Sequence, residues 1–255
     1  MGRIIAITNQ KGGVGKTTTS VNLSACLAEK GRKTLLVDAD PQCNATSGVG
    51  QGGKDLKSVY DVLIGAFPAS GAIVDTGYQG LRLLPASTAL ASAEMDLFDV
   101  PGRETILRDA LRPVSDDFDY ILIDCPPSLS LITLNALAAA DSVLVPIQCE
   151  YYALEGVGQL MTTLDRVRQR LNPRLEVLGV LLTMLDGRTN LGIQVVEDVK
   201  RYFRGKVFST IVPRNVRLSE APSHGLPIHL YDPRCTGTEA YRALAEELIE
   251  RVEEE

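Results

Sequence analysis

Residues 3–20 read RIIAITNQKGGVGKTTTS, and this stretch decides the fold. The apolar run over residues 4–7 predicts a buried strand, and apolar residues recur at helical spacing after Lys16. A glycine-rich turn lies between the two elements. The order of strand, glycine loop and helix is typical of a phosphate-binding loop, so we predict a site for a phosphorylated ligand here.

Each residue type in this turn has a chemical reason. Glycines let backbone N–H groups approach phosphate oxygens closely, and the helix N-terminus adds partial positive charge. We expect Lys16 to bridge the outer phosphates and the Thr17 hydroxyl to ligate Mg²⁺. The strict pattern G-x-x-x-x-G-K-[ST] is not met, because its first glycine falls on Gln10. A second lysine, Lys11, lies inside the loop instead.

Two further apolar runs end in carboxylates. Asp38 and Asp40 follow the run over residues 34–37, and Asp124 follows the run over residues 120–123. The carboxyl ends of strands line the usual ligand crevice of an open α/β sheet. Asp124 fits the acidic strand end of phosphate-loop NTPases, where the carboxylate reaches Mg²⁺ through water. Of the first two, the pattern leaves open which approaches Mg²⁺ and which orients the attacking water.

Strand and helix patterns alternate along the whole chain. We predict strands over residues 4–7, 34–37, 81–85, 120–123, 142–147, 177–183 and 207–212. We predict helices over residues 16–30, 56–64, 88–98, 104–111, 129–139, 151–171, 189–204 and from about 237 onward. The rest of the glycine-rich segment 44–80 is expected to be irregular, mobile surface. The alternation predicts an α/β fold, a single doubly wound, mostly parallel sheet with helices on both faces, in one domain over 1–255.

The charge is distributed unevenly. The 255 residues carry a net charge of −6, which does not suggest nucleic-acid binding by the molecule as a whole. Residues 166–217, however, carry 11 Lys and Arg against 4 Asp and Glu, whereas residues 236–255 carry 2 against 7. Any contact with nucleic-acid phosphates therefore has to be local.

Cysteine usage and hydropathy exclude other classes. The five cysteines form no C-x-x-C pair, which argues against a disulfide framework or a zinc site and favours a cytosolic setting. No apolar run approaches 18 residues and no leader is recognisable, so no membrane contact is expected. Cys125 is interpreted as a buried neighbour of Asp124 because no histidine partner is in view, and His224 and His229 are given no chemical role.

Four separated segments together resemble the chromosomal ParA (Soj) group of partition ATPases, within the ParA/MinD class that has a deviant Walker A loop. They are KGGVGKTT (11–18), VDADPQ (37–42), IDCPP (123–127) and IVPRNVR (211–217). The resemblance implies an ATPase of slow turnover that binds ATP and Mg²⁺ and closes into a homodimer around two nucleotides. It also implies non-specific binding of double-stranded DNA, hydrolysis stimulated by a ParB (Spo0J) partner, and a nucleoid-associated location.

The resemblance also carries residue roles. Lys11 matches the signature lysine that reaches the partner subunit's phosphates, and with Lys16 and Asp40 it forms the expected catalytic set. Thr17, Asp40 and Asp124 are the expected metal set. The expected nucleotide contacts are Lys11, Gly12, Gly13, Val14, Gly15, Lys16, Thr17 and Thr18, with Met184, Pro213 and Asn215 on the adenine side.

The basic segment supplies candidate DNA contacts in Arg188, Arg214 and Arg217. Duplicated by dimerisation, such a surface would contact several phosphates, and binding would fall steeply with salt. The alternative is that these arginines are solvated or paired with Asp186 and Glu220.

Other functions stay open at this point. A MinD-like membrane-associated ATPase needs a basic, apolar-faced helix, whereas residues 246–255 are acidic. Iron–sulfur proteins of the nitrogenase-reductase or Mrp type need paired cysteines. A metabolic ligase such as dethiobiotin synthetase usually lacks the first lysine of the loop. A non-hydrolysing structural switch is the fourth possibility.

Overall fold

Within residues 2–154 and 156–253, which the computed structural model describes, one sheet forms the centre of the molecule. Its strands are β1 (Arg3–Ile7), β2 (Thr34–Asp38), β3 (Val74–Asp75), β4 (Leu81–Leu84), β5 (Tyr120–Asp124), β6 (Ser142–Gln148), β7 (Glu176–Leu185) and β8 (Val207–Pro213). Their order is β3-β4-β2-β5-β1-β6-β7-β8, and all neighbours pair in parallel except β3 with β4. This confirms the predicted mostly parallel, doubly wound α/β sheet.

The longer helices follow the strands in the expected alternation. They are α1 (Lys16–Glu29), α6 (Ile106–Leu111), α7 (Leu131–Ala139), α8 (Val157–Arg170), α9 (Asn190–Tyr202) and α12 (Thr236–Glu253). The shorter ones are α2 (Asn44–Gly48), α3 (Val59–Leu63), α4 (Ala69–Ala72), α5 (Ala93–Asp96), α10 (Val216–Glu220) and α11 (Ile228–Tyr231). Three 3₁₀ segments, Thr88–Ser92, Arg112–Asp117 and Ala221–His224, complete the helical turns in the described ranges.

The apolar residues of each central strand divide between two cores. In β1, Ile4 and Ala6 join the core that packs against α6, α7 and α8, whereas Ile5 and Ile7 join the core that packs against α1 and α12. Successive side chains of a strand point to opposite faces, so both faces of the sheet are covered. Burial on both faces explains why these strands read as unbroken apolar runs.

The predicted helix over residues 151–171 is wrong at its start. Helix α8 begins at Val157, and residues 151–154 form a turn in which the Ala153 N–H donates to the Glu150 carbonyl at 2.9 Å. Gly156 precedes the helix with a φ of +78°, a left-handed conformation that interrupts any helix. Residue 155 lies outside the described ranges.

The prediction of an irregular surface over residues 44–80 is wrong in part. Besides the expected α3, the segment contains α2, α4 and β3, and Ala45 and Val49 of its first part are fully buried. Elements of two to five residues are too short to show a hydrophobic period, so tertiary packing rather than pattern defines them. Similarly, the helix expected over 88–98 is a 3₁₀ segment followed by the short α5.

Candidate functional site

The glycine-rich loop lies between β1 and α1, at the carboxyl end of the central strand. Gly13 and Gly15 have φ values of +74° and +86°, which side chains rarely adopt. A Cβ built on Gly12 or Gly13 would meet no atom within 4 Å, so open space lies beside the backbone of both glycines. This cradle fits a phosphate group.

Hydrogen bonds from outside the motif fix the loop. The Asn9 side-chain amide donates to the Pro146 carbonyl at 2.8 Å, and its Oδ1 accepts the Lys11 N–H at 3.0 Å. The Thr183 hydroxyl donates to the Val14 carbonyl at 2.9 Å. Strands β6 and β7 therefore hold the loop from one side. Sequence reasoning missed Asn9 and Thr183, because bonds to distant backbone carbonyls leave no motif.

Lys16 is held inside the loop that it follows. Its side chain is buried, and Nζ donates to the Lys11 carbonyl oxygen at 2.9 Å. Burial lowers the pKa of Lys16, while the charges of Asp124 and Asp40 oppose that shift. The recorded hydrogen-bond partner of the Lys16 ammonium is thus a neutral carbonyl oxygen. A phosphate bound in the glycine cradle would give it a charged partner and a stronger hydrogen bond.

Lys11 is engaged within its own chain. Its Nζ forms an ion pair with the carboxylate of Glu150, which follows β6, and both side chains are partly exposed. The expected role of Lys11 is to reach a partner subunit's phosphates, so this pair has to open first. Glu150 was missed by sequence reasoning, although its place just after a strand end was a usable signal.

The strand register brings the buried carboxylates together. Asp124 at the end of β5 lies beside Ile7 on one side and Asp38 on the other. Its Oδ1 accepts the Ser20 hydroxyl at 2.8 Å, whereas its buried Oδ2 has no hydrogen-bond partner within 2–154 and 156–253. Burial, with the charge of Asp38, raises the pKa of Asp124 above its ordinary value, while the Ser20 hydrogen bond opposes that rise. An orphaned carboxylate oxygen close to the hydroxyl-bearing start of α1 fits a bound Mg²⁺.

Asp38 and Asp40 differ in their hydrogen bonds. Asp38 is fully buried and accepts the Thr46 N–H at 2.7 Å, the Thr46 hydroxyl at 2.7 Å and the Asp40 N–H at 3.2 Å. Thr46 in turn accepts the Ala86 N–H at 3.0 Å. Asp38 thus joins three segments of backbone. Asp40 accepts one bond, from the Gln42 N–H at 2.9 Å, and is the freer of the two for orienting water.

A cavity of about 640 Å³ extends from the loop along the start of α1 to the segment after β8. It brings Gly15, Thr17 and Thr18 together with the predicted adenine-side residues Met184, Pro213 and Asn215. Its wall includes a strained position, because Met184 has a φ of +54°. The size suits a nucleotide, with phosphates at the glycine end and the base near Pro213.

The Asn215 side chain is held by two hydrogen bonds. Its Oδ1 accepts the Arg217 N–H at 2.8 Å at the start of α10, and its Nδ2 donates to the Thr236 hydroxyl at 2.9 Å. Asn215 therefore shapes the loop, and its amide retains one N–H and one acceptor lone pair. Its contact with a base stays a prediction.

Helix α12 touches both ends of this cavity. Thr236, at its start, bonds Asn215, and one turn later the Tyr241 hydroxyl lies 3.2 Å from the Thr19 hydroxyl of α1. Further on, Glu247 accepts the N–H groups of Ser209 and Thr210 in β8 at 2.7 and 2.9 Å. Sequence reasoning assigned this helix no part in the site.

The three candidate DNA arginines lie on two adjacent segments, the one that follows β7 and the one that follows β8 and includes the start of α10. Arg188 follows β7, Arg214 and Arg217 follow β8, and the Arg214 N–H donates to the Leu185 carbonyl at 3.1 Å. Arg188 and Arg217 are paired with carboxylates of their own chain, as the alternative interpretation expected.

The remaining titratable groups offer no second reactive centre. Burial raises the pKa of Cys125, so its thiolate is disfavoured. The described part of the chain holds no cluster of three His, Cys, Asp or Glu residues able to bind a metal. None of its helices, over 2–154 and 156–253, is long and apolar enough to cross a membrane.

Comparison with known proteins identifies the family. A family model described as AAA domain matches residues 2–177. The sporulation initiation inhibitor protein Soj of Bacillus subtilis is 59% identical over 249 residues, which cover 97% of this chain and 98% of that protein. The chain belongs to the ParA/Soj family. Another ParA/Soj relative, the chromosome partitioning protein ParA of Myxococcus xanthus, is 56% identical over 98% of this chain and 89% of its own.

Solved structures share the ParA/Soj fold, and one of them contains a nucleotide and magnesium. A cobyrinic acid a,c-diamide synthase from Mycobacterium smegmatis with bound ADP and magnesium is 41% identical, with a TM-score of 0.88 over 99% of this chain and 96% of its own. The cell division ATPase MinD of Pyrococcus furiosus is 30% identical, with a TM-score of 0.81 over 99% and 100%. These relatives support an ATPase and agree with the predicted ATP and Mg²⁺. The relatives named for sporulation control or chromosome partitioning, at 59% and 56% identity, are more similar in sequence to this chain than these two structures are.

Proposed function

We propose that this chain is an ATP-dependent chromosome-partitioning ATPase, a single P-loop domain over residues 1–255 with slow intrinsic turnover. One observation carries the proposal. Gly15, Thr17 and Thr18 line one end of a nucleotide-sized cavity, and they adjoin the glycine loop whose Lys11 carbonyl confines the ammonium of Lys16. Asp124, with its orphaned oxygen, bonds Ser20 of the same helix, α1. The high identity to Soj and ParA supports partition as the process served.

Nucleotide binding would rearrange contacts already present in the loop. Lys16 would exchange the Lys11 carbonyl oxygen for phosphate oxygens, and the Thr17 hydroxyl would hold Mg²⁺ together with Asp124 and Asp40. The ion supplies neutralisation of charge that develops on the transferred phosphoryl group. Asp40, which keeps free acceptor capacity, would orient the attacking water. Asp38 would hold the segment that carries Asp40.

Formation of a homodimer would depend on Lys11. Opening of its pair with Glu150 would free the ammonium group to reach the phosphates bound to a second subunit, where it would stabilise transition-state charge. The resulting homodimer would present Arg188, Arg214 and Arg217 twice, as a nucleoid-associated surface for double-stranded DNA. A ParB-type activator would then stimulate hydrolysis and release the DNA.

The membrane alternative gains no support from α12. Its apolar residues Tyr241, Leu244 and Leu248 are buried against the rest of the molecule, so its apolar face is already used. A MinD-like attachment through this helix would require it to leave the fold.

The test is ATP hydrolysis measured with the protein alone, with DNA, with a ParB-type N-terminal peptide, and with both. We expect weak stimulation by either addition and strong joint stimulation, because DNA would hold the dimer on which the activator acts. An Asp40→Ala variant should bind ATP, accumulate as a dimer in light scattering and hydrolyse nothing under any condition. Equal rates in all four mixtures would contradict the partition function.

A further inference from the structure

Arg188 is clamped by a carboxylate that the loop itself fixes. Its Nε and Nη2 donate to Oδ1 and Oδ2 of Asp186 at 2.8 and 2.7 Å, a bidentate pair. Asp186 Oδ1 also accepts the Arg188 backbone N–H at 3.1 Å. This bond holds the carboxylate in place independently of the Arg188 side chain. Hydrogen bonds from Arg188 lower the pKa of Asp186 to about 2, and the carboxylate stays charged at neutral pH.

Arg217 repeats this arrangement on the neighbouring segment. Its Nη1 donates to Glu220 Oε2 at 2.9 Å, and its Nε lies 3.5 Å from Asp232 Oδ2. The Tyr231 hydroxyl also donates to Glu220 Oε2, at 3.1 Å, and fixes that carboxylate independently of the arginine. Within the described residues, Arg214 has no carboxylate in ion-pair range.

Two of the three arginines on this surface therefore face carboxylates of their own chain. Arg188 faces Asp186, and Arg217 faces Glu220 and Asp232. Further positive charge of residues 166–217 lies elsewhere, on Arg166, Arg168 and Arg170 of α8 and on Arg204 and Lys206 between α9 and β8. A surface adapted only for tight DNA binding would not place fixed carboxylates on its own arginines.

We propose that Asp186 and Glu220 compete with DNA phosphates for Arg188 and Arg217 and so hold the affinity for DNA low. The inference rests on the proposed DNA-binding function and names how that surface is regulated. An arginine that leaves its carboxylate for a phosphate exposes an anion beside the DNA, which repels the backbone and attracts a cation. The counterion released from DNA is then offset by one taken up, so the arginine contributes little to affinity.

A low affinity of each subunit for DNA would help the protein to dissociate after hydrolysis. Exposed pairs exchange readily, so two subunits acting together can hold DNA, whereas a separated subunit can close its pairs and leave. The carboxylates thus speed release after hydrolysis without any change in fold.

The test uses Asp186→Asn and Glu220→Gln, singly and together. Each keeps an oxygen to accept the fixing bond, from the Arg188 N–H or the Tyr231 hydroxyl, so the loops should stay folded. Asp165→Asn is the matched control, because Asp165 pairs with Arg168 at 3.0 Å. Arg168 bonds the Leu175 carbonyl beside the amino end of β7, at the opposite end of that strand from Arg188.

Binding of a non-specific duplex would be followed by fluorescence anisotropy with a non-hydrolysable ATP analogue and Mg²⁺, from 50 to 200 mM salt. Each variant should tighten binding about threefold to tenfold and steepen the slope of log K against log salt by about 2 per dimer, since each subunit frees one arginine. The control should differ from the original chain by less than about twofold.

Companion variants separate this inference from the proposed function. If Arg188→Gln with Arg217→Gln loses DNA while Asp186→Asn and Glu220→Gln change neither affinity nor slope, the competition is overturned and DNA binding stands. If the arginine variants bind DNA as well as the original chain, both the competition and the proposed DNA surface are wrong. Unchanged melting temperature and nucleotide binding would show that every variant is folded.

Discussion

The two halves of the sheet's carboxyl edge treat charge in opposite ways. Around β1, β2 and β5, Lys16 is 7% exposed and Asp38 and Asp124 are 0% exposed. Around β7 and β8, the side chains of Arg188 and Arg217 are 88% and 50% exposed. The first half fixes its charged groups in one arrangement, and the second leaves them able to change partners.

The difference follows from solvation. A buried charge without a partner is strongly destabilising, so each buried charged group needs a partner from the protein or from a bound ligand. An exposed pair is screened by water and contributes little to stability, so it can open for a partner at small cost. A ligand of fixed shape suits the first half, and a variable polyanion suits the second.

The largest expected effect is on the buried half. Lys16→Ala should weaken ATP binding by at least about 100-fold, because a charge-assisted bond worth about 3 kcal/mol would be lost. Isothermal titration calorimetry would measure it. Lys30→Ala, which removes an exposed amine just beyond the other end of α1, is the control and should leave the affinity unchanged. Equal affinities for the two variants would remove Lys16 from the site.

A second substitution tests whether Asp38 is a structural anchor. Thr46→Val should destabilise the fold by about 2–3 kcal/mol, since the Asp38 carboxylate and the Ala86 N–H would each lose a buried partner. Urea unfolding would report it. Thr162→Val removes an exposed hydroxyl that bonds the Gly158 carbonyl, and it should change stability by less than about 0.5 kcal/mol. Similar losses for both threonines would argue against the anchor.

A third substitution tests Glu247, whose side chain is more exposed than those of the buried half and less exposed than those of the other half. Burial raises the pKa of Glu247, but the bonds from Ser209, Thr210 and Arg251 outweigh it and lower the pKa below its ordinary 4.5. Glu247→Gln should therefore cost about 1 kcal/mol at pH 7. That difference should shrink as pH falls below about 4.5, where the unfolded-state carboxylate becomes protonated, and should be lost below the lowered pKa of the native carboxylate. Unfolding curves from pH 3 to pH 7 would show it, and a gap that widened in acid would refute the assignment.

The smallest effect belongs to the exposed half. Arg188→Gln should shift the melting temperature by no more than about 2 °C, because a solvent-screened pair adds little to stability. Differential scanning calorimetry is sufficient. A larger loss would mean that the arginine holds the fold together, and the contrast between the two halves would fail.

The sequence predicted the fold because its signals are local. Alternating strand and helix patterns identify a parallel sheet, and the glycine loop with the strand-end aspartates places the crevice. The pattern alone could not tell Asp38 from Asp40, and only the family resemblance assigned Asp40 to the expected catalytic and metal sets. The hydrogen bonds that distinguish the two come from Thr46, which bonds only Asp38.

The site residues that the sequence did not reveal bond partners far away along the chain. The bond of Ser20 to Asp124 spans 104 positions, and the pair of Lys11 with Glu150 spans 139. No periodicity connects groups so far apart, and serine or glutamate at such positions looks ordinary. The late start of α8 was missed for a local reason, since a left-handed glycine leaves the apolar spacing around it unchanged.

The contacts of α12 have a consequence for synthesis. Thr236 fixes the base end of the cavity, Tyr241 meets the first turn of α1, and Glu247 closes on β8. Translation makes the glycine loop first and these three partners more than 200 residues later. A nascent chain on the ribosome therefore lacks these contacts of the proposed nucleotide site until α12 has emerged, and we expect it to bind nucleotide more weakly before that point.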